Sequence, residues 1–233
     1  MPKLLTLSVI LSIALSACSP SDGSYFPLAA GVWRYYQTTK LILDDTVEQR
    51  IIVGVADTIH TDNRQLFVMR QAPDQDSFVE KTGDGIFRVG KRNRHLLNET
   101  WQQKPTKILP LNPQLGDRWI VQSELGLIES RTFARQDRLR NRTIPLELNM
   151  EITALDEVVD VPAGVFSRCV KISGKGLVKV KTDRGNANAD VIVIREDWYA
   201  PGIGLVKSNR VEESESPFLK NGAYLQELIA VGN

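Results

Sequence analysis

Two cysteines and two histidines are all that the 233 residues contain. His60 and His95 are far apart in sequence, and neither has a His or Cys neighbour at metal-ligand spacing. A histidine-based catalytic centre or a zinc site therefore has no support, and no cofactor is expected. Charge of one sign is also missing. The chain carries 29 Lys+Arg against 28 Asp+Glu. Lys3 is the only charged residue before Cys18, so a chain starting at Cys18 has 28 of each sign. Such a balance leaves no electrostatic footprint for nucleic acid. Gly174-Lys175-Gly176 lacks the upstream glycine spacing and the following Ser/Thr of a phosphate-binding loop. Asp74-Gln75-Asp76-Ser77 lacks the glycine and terminal Glu of a calcium loop, and reads as a polar turn. Asp156, Glu157 and Asp160 read as a solvated strand end. No catalytic residue is assigned.

Long apolar runs are absent except at the start. Leu4 to Leu15 is apolar apart from Thr6, Ser8 and Ser12. A membrane-spanning helix needs about 20 apolar residues, so this run is too short and reads as the core of an export signal. Lys3 precedes it, and Leu15-Ser16-Ala17-Cys18 closes it. That order resembles the bacterial lipobox. The resemblance implies residues 1–17 as a removable signal, cleavage before Cys18, and acyl chains on Cys18. Several chains anchor stably where one binds marginally, since each buried methylene contributes about 0.8 kcal/mol. Ser19 stands where an Asp would resemble an inner-membrane retention signal, so the expected location is the outer membrane, facing the periplasm. Residues 18–24 form the lipidated cysteine and a short tether, which holds the following domain close to the bilayer. Cys169 is then left without a disulfide partner, and its setting suits a buried core thiol.

Residues 25–233 read as one β-rich domain. Ser77 to Lys81 and Gly85 to Val89 flank Thr82-Gly83-Asp84, a hairpin signal. In Leu146 to Ala154, the residues Leu146, Leu148, Met150, Ile152 and Ala154 share one face, and Glu147, Asn149, Glu151 and Thr153 share the other. Further strands are expected at Arg50 to Ala56, Gln65 to Arg70, Gly176 to Lys181, Val191 to Trp198, Leu205 to Glu212 and Tyr224 to Val231. Few segments have helical periodicity. The expected fold is mainly β and antiparallel, a curved or open-barrel sheet. Phe26-Pro27-Leu28 with Gly31 and Trp33 echoes Leu109-Pro110-Leu111 with Gly116 and Trp119, a hint of two related halves.

Three segments carry a wider resemblance. They are Tyr25-Phe26-Pro27-Leu28 with Gly31 and Trp33, Val161-Pro162-Ala163-Gly164-Val165-Phe166 with Cys169-Val170-Lys171-Ile172, and Trp198-Tyr199-Ala200-Pro201-Gly202-Ile203-Gly204-Leu205-Val206-Lys207. Their order resembles a TapB-like family of poorly characterised bacterial lipoproteins, with distant similarity to LolA- and LolB-type envelope domains. The resemblance implies an antiparallel sheet curved like the open barrels of lipoprotein carriers. It transfers no catalytic residue.

Arg131, Arg135, Arg138 and Arg142 stand at helical spacing and would form one basic stripe, a contact for lipid phosphates. The alternative is a strand from Ile128 to Ala134 running into a basic loop. The sequence thus points to a non-enzymatic binding or assembly module, partnered by the membrane and by an envelope protein or an apolar molecule. A LolB-like carrier is the alternative, and would need Trp33, Trp101, Trp119 or Trp198 lining an apolar cavity. An envelope enzyme with an unrecognised site is the third reading. The anchor has a direct check. Cells grown with a labelled fatty acid should label the protein, and Cys18→Ser should abolish the label.

Overall fold

The computed structural model of this protein describes residues 23–42, 44–61, 63–71, 74–96, 98–130, 144–182 and 188–232. Cys18 and the arginines at 131, 135, 138 and 142 lie outside the described residues. The chain forms β1 (Trp33–Ile42), β2 (Asp45–Thr61), β3 (Arg64–Gln71), β4 (Gln75–Thr82), β5 (Gly85–Asn93), β6 (Asn98–Leu109) and β7 (Arg118–Glu124). There follow β8 (Glu129–Ser130), β9 (Pro145–Val161), β10 (Gly164–Lys181), β11 (Asn188–Ala200), β12 (Gly204–Glu213), β13 (Leu219–Lys220) and β14 (Gly222–Gly232). Among the described residues there is no helix. The expected mainly β, antiparallel, open-barrel fold is what the chain adopts.

Twelve strands make one sheet in the order β6-β5-β4-β3-β2-β1-β14-β12-β11-β10-β9-β7, while β8 and β13 pair separately. The chain meanders, and its first and last long strands pair. Arg34 lies opposite Val231 and Leu41 opposite Ala223. That pairing wraps the sheet nearly into a barrel, with one seam between β6 and β7. The seam falls where the sequence obstructs pairing. Pro105 on β6 has no N–H to give to a ladder, and Pro110 and Pro113 stiffen the connection to β7. A side chain ties the two edges instead: Trp119 Nε1 donates to the Lys107 carbonyl at 3.1 Å.

Because the strands alternate in direction, the barrel has two distinct ends. The 161/164, 200/204 and 82/85 turns share one end with the start of β1. The 71/75, 93/98 and 213/222 connections share the other. The segment before β1 folds into the first end. Phe26 stands 6.3 Å from the Tyr199 ring, and the Gly202 amide donates to the Ser24 carbonyl at 2.8 Å. Gly31 and Gly116, the two glycines of the sequence echo, have φ of 85° and 86°, and each precedes a strand with a Trp in its first two residues. Both therefore use the backbone freedom of glycine for the same bend.

Inward-facing apolar residues fill two clusters. One gathers Leu148, Met150, Ile152, Ile172, Val191 and Val193 toward the β9–β11 wall. The alternation read in Leu146 to Ile152 accounts for its β9 share. The other joins Tyr36, Val55, Val161, Cys169, Val206 and Leu228 toward the tether end. Cys169 is fully buried there, as its strand context suggested. Burial, reinforced by the Glu157 charge, pushes its thiol up to about 11. A third cluster sits on the opposite sheet face, where Phe78 stacks on Trp101 at 4.7 Å. Gly90 makes this possible, since a Cβ there would stand 3.1 Å from both rings. Asp76 corrects the expectation of a polar turn. Gln75 already opens β4, and Asp76 is fully buried among Arg92 at 2.8 Å, Arg70 at 3.5 Å and Arg94 at 3.6 Å.

Above the β9–β12 wall, the chain after β7 is pinned by Glu212. Its buried carboxylate accepts from the amides of Leu127 at 2.9 Å and Ile128 at 3.0 Å, and from Arg210 Nε at 2.9 Å. Gly222, opposite Glu212, leaves room for the Leu127 carbonyl, which a Cβ would overlap. Gly222→Ala should therefore cost about 1–3 kcal/mol by overpacking. Gly83→Ala, with nothing within 4 Å of the added carbon, should cost much less. Urea denaturation of the two variants checks the difference.

Candidate functional site

The interior of the barrel is not filled. A cavity of about 550 Å³ runs between the walls. Its lining is set by strand parity, because residues two apart share a face. On β11 the buried Val191 and Val193 fix the inward face, so Arg195, Asp197 and Tyr199 follow on it. On β1 the same face carries Arg34, Tyr36 and Thr38, and on β14 it carries Tyr224, Gln226 and Leu228.

Register then aligns polar side chains across strands. Gln49, Thr38, Gln226, Ser208 and Asp197 form one continuous row through β2, β1, β14, β12 and β11. Ser208 Oγ donates to Asp197 Oδ1 at 2.6 Å. The neighbouring row holds Tyr224, Arg210 and Arg195, then Gly174, Met150 and Trp119. Gly174 gives the Met150 thioether its space, which a Cβ would take. The polar rows thus meet an apolar floor on the β9–β10 side.

At the tether end, Arg34 Nε donates to the Ile203 carbonyl, and Tyr36 Oη donates to the Leu205 carbonyl at 2.8 Å. Phe26, Pro27 and Gly204 complete that closure. At the far end, Gln49, Gln71 and Gln75 line the cavity and are solvent-exposed, so the mouth opens there.

The charges inside are uneven. Among the described residues, four cationic side chains line the cavity (Arg34, Arg88, Arg195 and Arg210) against one carboxylate, Asp197, while the Lys107 ammonium lies over Phe87 on the outer face. Asp197 is already engaged, by Ser208 and by Arg195 Nε at 2.8 Å. Arg210 is neutralised by Glu212 at 2.8 Å. Arg195 is surrounded by the walls, yet a third of its side chain remains accessible, which is access to the lumen. Arg88, on the opposite wall, has a buried Nε with no hydrogen-bond partner. Burial pushes its pKa down and the charge of Arg195 pushes the same way, while the Glu124 carboxylate partly opposes them. Burial likewise raises Tyr36, Tyr199 and Tyr224, with Asp197 adding to the effect on the last two.

The sequence-predicted candidates fall outside this site. Asp156 and Asp160 are exposed, and Glu157 accepts from Trp198 Nε1 at 2.6 Å on the outer surface. His60 and His95 are exposed. No tryptophan lines the cavity. Trp119 serves the seam, Trp101 covers Phe78, and Trp33 packs beside Gly54. Among the described residues, no group of three or more His, Cys, Asp or Glu side chains is placed to hold a metal ion. The lumen residues escaped the sequence reading because each is a single polar residue in a strand. Continuing the β11 parity past Val193 would have placed Arg195 and Asp197 inside.

No family model and no curated protein matches the chain. Two solved structures are similar at low identity. A predicted lipoprotein from Parabacteroides distasonis shares 13% identity over 90% of this chain and 98% of its own, with a TM-score of 0.44. A predicted exported protein with a YmcC-like fold from Bacteroides fragilis shares 14% identity over 91% and 100%, with a TM-score of 0.41.

The phenols supply a pH test. A raised folded pKa means that the folded state holds its proton more tightly, so stability is full below about pH 10 and falls as pH rises beyond it. Ultraviolet titration should show the lumen tyrosines ionising after the exposed ones. Tyr36→Phe together with Tyr199→Phe should shrink the late step and flatten the alkaline loss of stability.

Proposed function

We propose that this protein is a lipid-anchored lipoprotein of the bacterial outer membrane, facing the periplasm, whose barrel interior is a non-catalytic binding site. The observation that carries the reading is the cavity of about 550 Å³, closed at the tether end and open at Gln49, Gln71 and Gln75. Its size lies within the range of small-molecule sites. Side chains from both halves of the chain converge on it, and they bind rather than react. Among the described residues, the one carboxylate on the lumen wall is held by two partners, and neither histidine nor cysteine lines the lumen.

The anchor and the mouth make one arrangement. Gly23, the first described residue, is five residues from Cys18, a reach of about 17 Å when extended. The closed end therefore rests near the bilayer and the mouth looks away from it. Leu115, Val158 and Val165, each more than 60% exposed, sit at this same end and suit an interfacial position. Kinship with TapB-like lipoproteins belongs to this proposal and rests on the ordered turn motifs alone. Arginines, Asp197 and amide side chains interrupt the apolar part of the lining, which does not favour a LolB-like carrier, whose acyl cargo would require an apolar cavity.

The test is native mass spectrometry of the lipoprotein extracted from its membrane in mild detergent. The expected spectrum contains a small-molecule adduct, lost in Gln75→Trp, which places a large side chain at the exposed mouth without disturbing the core. A wild-type protein with no adduct, or an adduct equally present in Gln75→Trp, contradicts the reading.

A further inference from the structure

We infer that the lumen takes a small polar anion, whose carboxylate or phosphate is held between Arg88 of β5 and Arg195 of β11. This deepens the binding-site reading and rests on it. The first ground is charge segregation. Opposite charges balance over the chain from Cys18 onward, whereas among the described residues the cavity lining has four arginines and one carboxylate. The lumen is thus more cationic than the chain as a whole.

The second ground is what remains after internal pairing. Arg210 is matched by Glu212, and Arg34 is spent on the Ile203 carbonyl at the closed end. Lys107 turns over the Phe87 ring at 5.4 Å. Asp197 supplies one negative charge to Arg195, and that carboxylate is shared with Ser208. Arg88 is left with a buried, unpartnered Nε facing the same space. A buried N–H donor without an acceptor is costly, and a ligand oxygen placed there would satisfy it. Guanidinium donors in a fixed fork suit the planar oxygens of carboxylate and phosphate.

The third ground concerns the rest of the ligand. Above the arginines the lining includes Thr38, Ser77, Gln71, Gln75, Gln226 and Tyr224, hydrogen-bonding groups set among Ile51, Val53, Met69 and Val79. Those groups fit a hydroxyl- or amide-bearing body beside a small apolar patch.

The experiment measures thermal unfolding of the full lipoprotein in detergent against increasing inorganic phosphate and, separately, citrate. Wild type should show a saturable rise in Tm with at least one of the two, and which one responds identifies the anion chemistry. Arg88→Met should have a Tm no lower than wild type without anion, because the buried, unsatisfied Nε–H is removed. Its apparent affinity should fall at least tenfold. Arg118→Gln, which loses only an outer-surface pair with Glu151, should respond like wild type. An Arg88→Met response equal to wild type, or no saturable response to either anion, overturns the inference. If the mass-spectrometric adduct is still lost in Gln75→Trp, the anion assignment alone has failed. If no adduct exists, the binding-site reading fails with it.

Discussion

The structure depends on the pairing of β1 with β14. The other neighbours in the large sheet are joined by hairpins or connections of under ten residues, except β7 and β9, which the longer 125–144 segment joins, so the β1–β14 ladder and the seam decide whether the meander stays open or wraps. With Arg34 opposite Val231 and Leu41 opposite Ala223, the two halves of the chain are zipped along their full shared length. The seam between β6 and β7 needs only the Trp119 hydrogen bond because the curvature is already imposed by the rest of the sheet. Closure turns one face of each strand inward, and residues distant in sequence become neighbours across a lumen.

From that closure follows the character of the interior. Two apolar clusters supply the burial that holds the walls, one toward β9–β11 and one at the tether end. Between them the inward positions switch to Arg, Asp, Tyr, Ser and Gln. Filling those positions with leucine or valine would stabilise the fold more simply, since buried charges rarely return their desolvation cost. That cost supports the proposal that the polar choices serve binding. The contrast between Asp76 and Arg88 makes the point. Asp76 is buried among three arginines and is structural, whereas Arg88 Nε lies on the lumen wall without a partner.

Much of this fold was legible in the sequence. Alternation in Leu146 to Ile152, the Thr82-Gly83-Asp84 turn and the Pro-Gly turns at 162–164 and 200–204 each appear where pattern and turn chemistry put them. Cys169 was legible as a core thiol for the same reason. The echo of Gly31-Trp33 in Gly116-Trp119 reflects a shared backbone bend, visible because glycine and tryptophan are conspicuous. The site was not legible, because it is made by closure. Arg88 and Arg195 are more than a hundred residues apart, and neither stands in a motif. Asp76 looked like part of a turn because its three arginine partners come from adjoining strands and the β5–β6 connection, which local pattern does not reveal.

The central claim is that this wrapped sheet presents an accessible, cation-lined lumen to small anions. A crystal soaked in bromide and measured at the bromine absorption edge reads it directly. The account predicts an anomalous peak inside the barrel within contact distance of Arg88 and Arg195. Bromide found only on the outer surface, with the lumen sealed or filled by side chains, would contradict it.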